Sequence, residues 1–388
     1  MILEILLTLI FIRPFICSLA FPYANLFYST LLIIVISSWI IVKRLPLMLS
    51  RSIKYPLILF VLVLFISVLF SSDKIVSIKE LYKYISGISL FLISASLSYR
   101  DRKRVLSVIV ASGFLVSLLA IYQYFFGFQH VLDYLTRQKV SNDFVLDYIS
   151  RRRAFCPFVT PNTLGGYLAV IIPLTLIYKN KIWILIPLSS ALLLSKSLGA
   201  LLSILLALVI YFCLRGKLEK KEIVLFSGLL VLFGLIFVAR SGVQKQDLQP
   251  IFSTVMRLRY WRDTLRIIHS FPFTGVGLGN FNLIQSRYAH NSYLQIWAEM
   301  GILGLFSLLW LILTILKRSL KNIKNSTLNN QIVALTAANA VFLIHNFVDF
   351  SFFLPEVTLI WWLIMGLLYA ETGFPDAPTK PQNTLKNI

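Results

Sequence analysis

The sequence predicts an all-α integral membrane protein with about twelve transmembrane helices, and three observations lead to this fold class. Hydrophobic residues make up 58% of the 388 residues and charged residues 14%, whereas soluble domains carry about a quarter charged residues. Apolar runs long enough to span a bilayer recur from one end of the chain to the other. Short basic connections separate alternate runs, which is typical of polytopic membrane proteins.

The expected spans follow from the apolar runs in chain order. They cover residues 2–20, 24–42, 56–71, 81–98, 105–126, 162–178, 182–195, 198–214, 223–239, 291–316, 331–350 and 355–371. Two short neighbouring spans, 182–195 and 198–214, are expected to form a tight hairpin. We expect residues 1–371 to form a single membrane domain and the polar tail 372–388 to be disordered and cytoplasmic.

The basic connections set the expected orientation. They read KRLPLMLSRSIK, RDRKR, KNK, RGKLEKKE and KRSLKNIKNS. Because lysine and arginine are retained on the cytoplasmic side, both termini are predicted to be cytoplasmic. Two long connections, at about 127–161 and 240–290, then lie on the outer face.

The two long outer connections are also rich in arginine. The net charge of the chain is +21, and Arg153, Arg257 and Arg259 lie in these connections. One interpretation is a solvated basic surface, since long loops are translocated regardless of charge. The other is an anionic ligand, because the planar guanidinium makes bidentate hydrogen bonds to phosphate.

Polar residues from distant stretches are predicted to meet at the outer face. Asn291, Gln295 and Glu299 follow a helical period, so they share one stripe that faces protein or a water-filled cavity rather than lipid. His290 lies at the mouth of this stripe. A buried, neutral Glu299 with a purely structural role remains an open alternative.

Three more positions reach the same level of the predicted bundle. His345 and Asp349 are four residues apart and are expected to share a helical face, Asn162 begins the sixth span, and Lys196 lies at the tip of the hairpin. Each has a structural alternative, such as a local hydrogen bond or a helix start. Their coincidence predicts a cavity lined by cations and histidine.

Other chemistries lack a sequence signature. The glycine-rich stretch GVGLGN follows no strand, so a turn is favoured over a nucleotide site. The sequence carries neither a carboxylate cluster nor a histidine pair at ligand spacing within one helix, and we expect no metal and no cofactor. The three cysteines are scattered and form no disulfide framework.

Three stretches carry a likeness to a known family. They read RRRAFCPFVTPNTLGGYLAVIIPL, RLRYWRDTLRIIHSFPFTGVGLGNF and HNSYLQIWAEMGILGL. The sequence resembles the O-antigen ligase and polymerase superfamily, also called Wzy_C. This resemblance implies a GT-C-like glycosyltransferase fold in the bacterial inner membrane, with a long periplasmic loop between helices 9 and 10.

The resemblance also assigns roles to residues. It implies that His290 is an essential histidine and that Arg257, four residues before Trp261, is a key arginine. Many family members have an arginine that helps hold the donor pyrophosphate where this chain has Leu198. Whether Lys196, two residues earlier, supplies the positive charge in its place stays open on the sequence. Arg153 and Asn162 fall on weaker positions of the family pattern. Together with the residues singled out above, the candidate substrate-binding residues are Arg153, Asn162, Lys196, Arg259, Asn291, Glu299, His345 and Asp349.

Members of the family transfer a glycan from a polyprenyl-diphosphate carrier to an acceptor. For this chain the resemblance implies the transfer of an oligosaccharide or polysaccharide from undecaprenyl diphosphate to a sugar hydroxyl of lipid A–core at the periplasmic face. The resemblance implies an inverting, metal-independent transfer with His290 as base and arginines on the diphosphate. The expected partners are this donor, this acceptor and membrane lipids, with no nucleic acid, and the chain is expected to be a monomer.

Several alternatives stay open on the sequence alone. An O-antigen or exopolysaccharide polymerase would use the same donor, as would a protein O-oligosaccharyltransferase. A transporter of lipid-linked sugars or anions belongs to a different class. Its sequence would be expected to show two related halves and polar residues at the bilayer midplane, whereas here the polar residues cluster at one end and no paired halves are evident. A structural scaffold is disfavoured by the predicted burial of histidine, glutamate and aspartate.

Overall fold

A computed structural model gives the architecture of the chain. It describes residues 2–43, 49–138, 143–215, 250–284, 286–325 and 330–373, together with scattered positions between 220 and 238. The helices of these residues are α1 (Ile2–Ile12), α2 (Pro22–Lys43), α3 (Arg51–Leu69), α4 (Lys74–Ala95), α5 (Tyr99–Tyr122), α6 (Phe128–Arg137), α7 (Asp143–Ser150), α8 (Pro161–Leu174), α9 (Ile182–Ser195), α10 (Leu198–Arg215), α11 (Pro250–Ser270), α12 (Ser292–Asn325), α13 (Asn330–His345) and α14 (Pro355–Glu371).

The all-helical prediction is confirmed for the described residues, which contain no strand. By length and composition, four of the described helices are apolar enough to cross a membrane: Pro22–Val42, Arg51–Leu69, Tyr99–Arg137 and Ser292–Ile323. The apolar helices α8, α9, α10 and α13 are shorter. The twelve spans therefore stay a prediction, and most of the expected span 223–239 lies outside the described residues.

The long connections contain helices that hydropathy did not indicate. Residues 127–161 include α6 and α7, and residues 250–270 of the second connection form α11. These segments interleave charged and apolar residues, so a search for continuous apolar runs passes over them. The helix α11 is important for the site, because it carries Arg257.

One end of the bundle gathers the starts of α3 and α5 and the end of α14. Arg102 Nε donates a hydrogen bond to Glu371 Oε1 at 2.7 Å. The backbone N–H of Ser50 donates to Tyr369 Oη at 3.0 Å, and Arg318 Nη1 donates to Ser50 Oγ at 3.0 Å. We call this the basic end, because the short basic connections flank these residues.

The other end, which we call the site end, gathers the start of α14 and the connections that precede α2 and α4. The buried Arg13 pairs with Glu356 at 3.4 Å and donates to Asn25 Oδ1 at 2.7 Å. Ser72 Oγ donates to Asn280 Oδ1 at 2.9 Å, which ties the glycine-rich turn to the start of α4. The site end is thus held by polar contacts between distant parts of the chain.

The core of the bundle is built around α14. Its residues 355–370 are all buried, and a helix that is apolar on every side is expected to be surrounded by protein or lipid. Gly87 on α4 lies against the indole of Trp362, and a Cβ there would overlap that ring. A Cβ on Gly366 would likewise overlap Ser94 Oγ and the carbonyl of Phe91 on α4. These two glycines allow α4 and α14 to approach closely.

The helix α12 is broken where the sequence reads Glu-Met-Gly. Gly301 has φ 68° and ψ −178°, a conformation that suits glycine. A Cβ at this position would overlap the carbonyl of Phe273. The N–H of Ile302 donates to the carbonyl of Pro272 at 2.9 Å. The break therefore lets residues 272–273 dock into the helix.

The same break frees carbonyl groups on its other side. The carbonyl of Ala298 accepts from the N–H of Val276 at 2.8 Å, and the carbonyl of Glu299 accepts from the N–H of Gly277 at 3.1 Å. Hydrogen bonds that a continuous helix would make internally are made with the glycine-rich turn instead. This exchange fixes the turn, and the chain that leads from it to His290, against α12.

Candidate active site

His290 lies two residues before the start of α12 and is held in an unusual backbone conformation. Its φ is 53°, in the left-handed region that non-glycine residues rarely adopt. Trp261 Nε1 donates to the carbonyl of His290 at 3.4 Å. The imidazole stacks on Tyr260 with ring centroids 5.6 Å apart, and it meets Phe350 edge-on at 4.8 Å. The ring is therefore positioned by both α11 and the connection before α14.

The start of α12 is docked on the connection that follows α13. The N–H of Ser292 donates to the carbonyl of Asn346 at 2.9 Å, and Ser292 Oγ donates to Asn346 Oδ1 at 2.7 Å. Asn346 Oδ1 also accepts from the N–H of Phe352 at 2.8 Å. These contacts hold residues 346–352 beside His290.

Asp349 lies in this connection and contacts His345. The helix α13 ends at His345, so the expected shared helical face is wrong, because Asp349 lies in the non-helical connection after the helix. The contact is nevertheless made: His345 Nε2 lies 2.8 Å from Asp349 Oδ2, which also accepts from Ser351 Oγ at 2.8 Å. The tight turn after α13 thus brings Asp349 to His345, as a continued helix would also have done.

Burial and neighbouring charges set the protonation of this cluster. Burial lowers the pKa of His290 to about 4, with the charge of Arg257 acting in the same direction and Asp349 opposing it. Burial alone would raise the pKa of Asp349, but the charge and hydrogen bond of His345 hold it below its ordinary value. Burial also lowers the pKa of Arg257, and Asp349 opposes this shift. At neutral pH the site therefore combines a neutral imidazole with a carboxylate.

The cluster contains buried polar atoms without a hydrogen-bond partner. They are Arg257 Nε, His290 Nδ1, His345 Nδ1 and Asp349 Oδ1. Buried polar atoms in folded proteins are almost always hydrogen-bonded, and leaving one unpaired costs about 1–3 kcal/mol. Their concentration in one place indicates groups with spare capacity to bind a polar ligand.

A second group of predicted residues surrounds Arg153. Its Nε donates to the carbonyl of Ser195 at 3.1 Å, and its Nη2 donates to Asn162 Oδ1 at 2.9 Å. The guanidinium lies 5.7 Å from the ring centroid of Tyr148. The pairing of Arg153 with Asn162 brings together two positions that the resemblance had assigned separately.

Lys196 belongs to this second group. It ends α9 in the left-handed conformation, with φ 50°, and its Nζ donates to the carbonyl of Arg151 at 2.9 Å. It directly follows Ser195, which accepts from Arg153. The structure therefore places a lysine beside Arg153, near the position where the family pattern has the arginine that Leu198 replaces.

Close helix packing joins the two groups. A Cβ on Gly165 would lie 2.5 Å from Ser197 Cβ, and a Cβ on Gly166 would lie 2.5 Å from His345 Nε2. The first turns of α8 therefore fit between the Lys196 corner and His345. The charge of Asp349 also reaches Tyr148, although burial is the main reason why the pKa of that phenol is raised. Residues from α7 to the connection after α13 thus bring the two groups close together.

Three predicted site residues have other surroundings. Arg259 is exposed, because it lies two residues from Arg257 and points to another side of α11. Asn291 is buried, and its Oδ1 accepts from the N–H groups of Tyr293 and Leu294, so it caps α12. The two hydrogen bonds of Asn291 do not involve the unpaired atoms of Arg257, His290, His345 and Asp349.

Glu299, the third of these residues, is a structural anchor. Its Oε1 accepts from Gln295 Nε2 at 2.9 Å, and its Oε2 accepts from the N–H of Gly279 at 2.9 Å. Gln295 in turn accepts from the N–H of Ala289 at 3.1 Å. Both oxygens of this buried carboxyl are therefore occupied by the segment 279–295, which precedes the helix break.

The structure adds residues that the sequence analysis did not single out. Tyr260 and Phe350 contact the imidazole of His290, Ser351 binds Asp349, and Tyr148 lies beside Arg153. Tyr260 and Ser351 lie within two or three residues of predicted site residues, and this proximity was the available signal. Nothing in the local sequence around Tyr148 distinguishes it from other tyrosines.

The arrangement suits an anionic ligand and a proton transfer. Within the described parts of the chain, groups of three or more histidine, cysteine, aspartate or glutamate side chains that could hold a metal do not occur. The available charge comes from Arg257, with Arg153 and Lys196 in the adjoining group. The neutral imidazole of His290, which interacts with the charge of Arg257, can accept a proton.

Comparison with known proteins agrees with the resemblance noted in the sequence. Searches of curated proteins and of solved structures returned no match. A family model does match, and the matched segment runs from α9 to the first half of α12, so it includes Lys196, Arg257 and His290. Residues 183–309 of this chain match the model of the Wzy_C family, described as O-antigen ligase, and this segment is therefore similar to that family.

Proposed function

We propose that this chain is a glycosyltransferase that moves an oligosaccharide or polysaccharide from undecaprenyl diphosphate to a sugar hydroxyl of lipid A–core. The family match gives the coarser level, an O-antigen ligase or polymerase type of activity. The observation that carries the finer proposal is the convergence of Arg257, His290 and Asp349 with unpaired polar atoms.

The donor's diphosphate fits the cationic part of the site. Arg257 has a buried donor without a partner, and Arg153 and Lys196 add positive charge from the adjoining corner. Charge that develops on a leaving diphosphate is stabilised by donors that are already in place. A diphosphate would also provide the acceptor that Arg257 Nε lacks.

The acceptor's hydroxyl fits the imidazole. A sugar hydroxyl becomes a better nucleophile when a base removes its proton, and such assistance contributes about 10²–10⁴-fold. Burial keeps His290 neutral at pH 7, so it is in the form that accepts a proton. A bound diphosphate and the nearby Asp349 both raise its affinity for that proton.

The bond changes of the proposed reaction are those of a direct displacement. The acceptor oxygen forms a bond to the anomeric carbon, while the bond from that carbon to the diphosphate oxygen breaks. The electron pair leaves with undecaprenyl diphosphate, and the hydroxyl proton moves to the imidazole of His290. A single displacement inverts the anomeric configuration. The proposal assigns the charge stabilisation to arginine and lysine and needs no metal.

We further propose the membrane setting that the sequence predicts. The site end would face the periplasm, the basic end would face the cytoplasm, and the lipid tail of the donor would remain in the bilayer beside the apolar helices. The chain would act as a monomer in the bacterial inner membrane. Two described residues from the basic stretches, Arg102 and Arg318, make their hydrogen bonds at the basic end, which supports this orientation.

The main alternative is an O-antigen or exopolysaccharide polymerase of the same superfamily. It would use the same donor end and the same cation set, and it would differ in the acceptor. A protein O-oligosaccharyltransferase would differ from both in the same way. A transporter would need no base, so the position of His290 in the cluster favours the enzyme.

Reconstitution tests the proposal. Purified protein in proteoliposomes is given an undecaprenyl-diphosphate-linked glycan and lipid A–core, with and without EDTA. Glycan on the lipid A–core, with inverted configuration and no effect of EDTA, is the expected result. Lengthening of the carrier-bound glycan would assign a polymerase, and movement across the bilayer without a covalent product would assign a transporter. Either outcome would contradict the ligase proposal.

A further inference from the structure

A groove at the basic end lies far from the candidate active site. It runs between α1 and α5 and has a volume of about 560 Å³. Its walls carry Leu7, Phe11 and Val108 on the apolar side and Lys103, Arg104 and Glu4 on the charged side, where Glu4 pairs with Arg104 and leaves Lys103 as the excess cation. The helix α14 separates the two ends of the bundle, and its 17 residues correspond to about 25 Å. The groove is therefore distinct from the glycosyl-transfer site.

The polarity of the groove changes along its length. The helices α1 and α5 run in the same direction, because Arg104 Nη2 donates to Glu4 Oε1 at 2.6 Å near their starts and Ser112 Oγ donates to the carbonyl of Phe11 at 2.7 Å further along. The charged residues line the first turns of both helices. Phe11 and Val108 line the later turns, about 6–10 Å deeper along the helix axes.

Further cations border the groove from a separate element. Tyr178 Oη donates to Ser107 Oγ at 3.0 Å, so the connection between α8 and α9 lies at the edge of the groove. This connection carries Lys179 and Lys181, and both are exposed. Trp183 follows and is 77% exposed. An exposed tryptophan beside lysines is typical of the boundary between lipid tails and headgroups.

We propose that this groove binds one anionic phospholipid. Its phosphate would lie at Lys103, near the ion pair of Arg104 with Glu4, and an acyl chain would extend along Phe11 and Val108. Basic pockets between membrane helices recognise anionic headgroups through charge, while their apolar walls accept the chain. A free phosphate would leave the apolar half of the groove empty. The charge of the rim disfavours a zwitterionic lipid relative to an anionic one.

Native mass spectrometry of delipidated full-length protein tests the charge requirement. The protein is titrated with phosphatidylglycerol and with phosphatidylcholine of matched chains. Wild type is expected to bind phosphatidylglycerol more tightly, and Lys103→Gln should reduce this preference by about fivefold, the effect of removing one cation near an anionic headgroup. Lys54→Gln, an exposed lysine at the start of α3, is the matched control and should bind as wild type.

A second variant tests the shape of the groove without changing its charge. Val108→Trp fills the apolar half and should weaken phosphatidylglycerol binding while the melting temperature stays near that of wild type. Equal effects of Lys103→Gln and Lys54→Gln would indicate a nonspecific charge effect and overturn the proposal. Unchanged binding in Val108→Trp, or full competition by millimolar inorganic phosphate, would also overturn it.

Discussion

His290 and Glu299 lie nine residues apart in the same segment, and the structure gives them opposite surroundings. Both are polar residues at the site end, where Glu299 is fully buried and His290 is half-buried. Glu299 has both carboxyl oxygens occupied, by Gln295 and by the N–H of Gly279. His290 retains a buried Nδ1 without a partner and lies beside Arg257, whose Nε is also unpaired.

This difference separates a structural polar residue from a candidate functional one. Burial of a charge or an imidazole is costly, and a protein offsets that cost when every polar atom finds a partner. Glu299 meets this condition and stabilises the turn that docks into the break at Gly301. His290 does not, so its free hydrogen-bonding capacity is available to a ligand. Spare capacity, rather than burial, is the criterion that points to function here.

The largest expected effect is on glycan transfer when His290, the residue with an unpaired ring nitrogen, is replaced. The substitution His290→Ala should lower glycan transfer by about 10²–10⁴-fold, because it removes the proposed base. Thermal stability in detergent should stay close to that of wild type, since the side chain makes ring contacts but no hydrogen bond of its own at Nδ1. Transfer at the wild-type rate would remove the histidine from the mechanism.

Arg257 gives the next largest effect. Arg257→Ala should reduce transfer by about 10²–10³-fold, the usual consequence of losing one electrostatic stabiliser. Arg257→Lys should lose less, because lysine keeps the charge but not the bidentate geometry. Steady-state rates of both variants in proteoliposomes measure this. Equal losses in the two variants would argue against a bidentate phosphate contact.

Substitution of Glu299, whose carboxyl oxygens are both hydrogen-bonded, should lower the stability of the fold rather than the activity. In Glu299→Gln the amide NH2 group faces a hydrogen-bond donor that now binds a carboxyl oxygen. The free energy of unfolding should therefore fall by about 1–3 kcal/mol. Transfer per folded molecule should remain within about twofold of wild type. The melting temperature in detergent, measured together with the specific activity, checks this prediction. A large fall in activity with unchanged stability would make Glu299 a site residue after all.

Gly301→Ala sharpens the same point. A Cβ would overlap the carbonyl of Phe273, and the φ of 68° is strained for alanine. We expect a lower melting temperature together with reduced yield, as the turn can no longer dock into the helix. Cleavage by a protease near residues 272–280 should become faster. Unchanged protease resistance would show that the docked turn does not depend on the break.

The smallest expected effect concerns pH. The pKa of His290 is about 4 in the folded chain, against an ordinary value of 6.5, so the unfolded state takes up this proton first as the pH falls. The folded state therefore loses stability from about pH 6.5 down to about pH 4. His290→Gln should lose less melting temperature than wild type between about pH 7 and about pH 5, by a few degrees. Identical pH profiles would contradict the buried, neutral imidazole.

Some of this architecture was accessible from the sequence, and some was not. Apolar runs predicted α9 and α14 with correct bounds, because continuous hydrophobicity over the length of a helix is typical of a helix buried in protein or lipid. The same criterion missed α11, whose charges interrupt the apolar pattern. The helical period also grouped Glu299 with His290, although their surroundings differ.

The distinction between the two residues depends on partners that are distant in the chain. The N–H of Gly279 reaches the carboxyl of Glu299 only because the break at Gly301 lets the glycine-rich turn dock against α12. Asn346, which follows α13, fixes the start of α12 through Ser292. A periodic pattern gives the direction of a side chain and not the atoms that it meets. Asp349 illustrates the same limit, since its contact with His345 survives although the helix ends first.

The most direct test of the central claim is the affinity for a short prenyl diphosphate, such as farnesyl diphosphate, in nanodiscs. Arg257→Ala and Arg259→Ala remove the same side chain two residues apart on α11, but only the first belongs to the cluster of unpaired atoms. The account predicts binding at least about tenfold weaker for Arg257→Ala and unchanged for Arg259→Ala. Equal affinity of the two variants would contradict it.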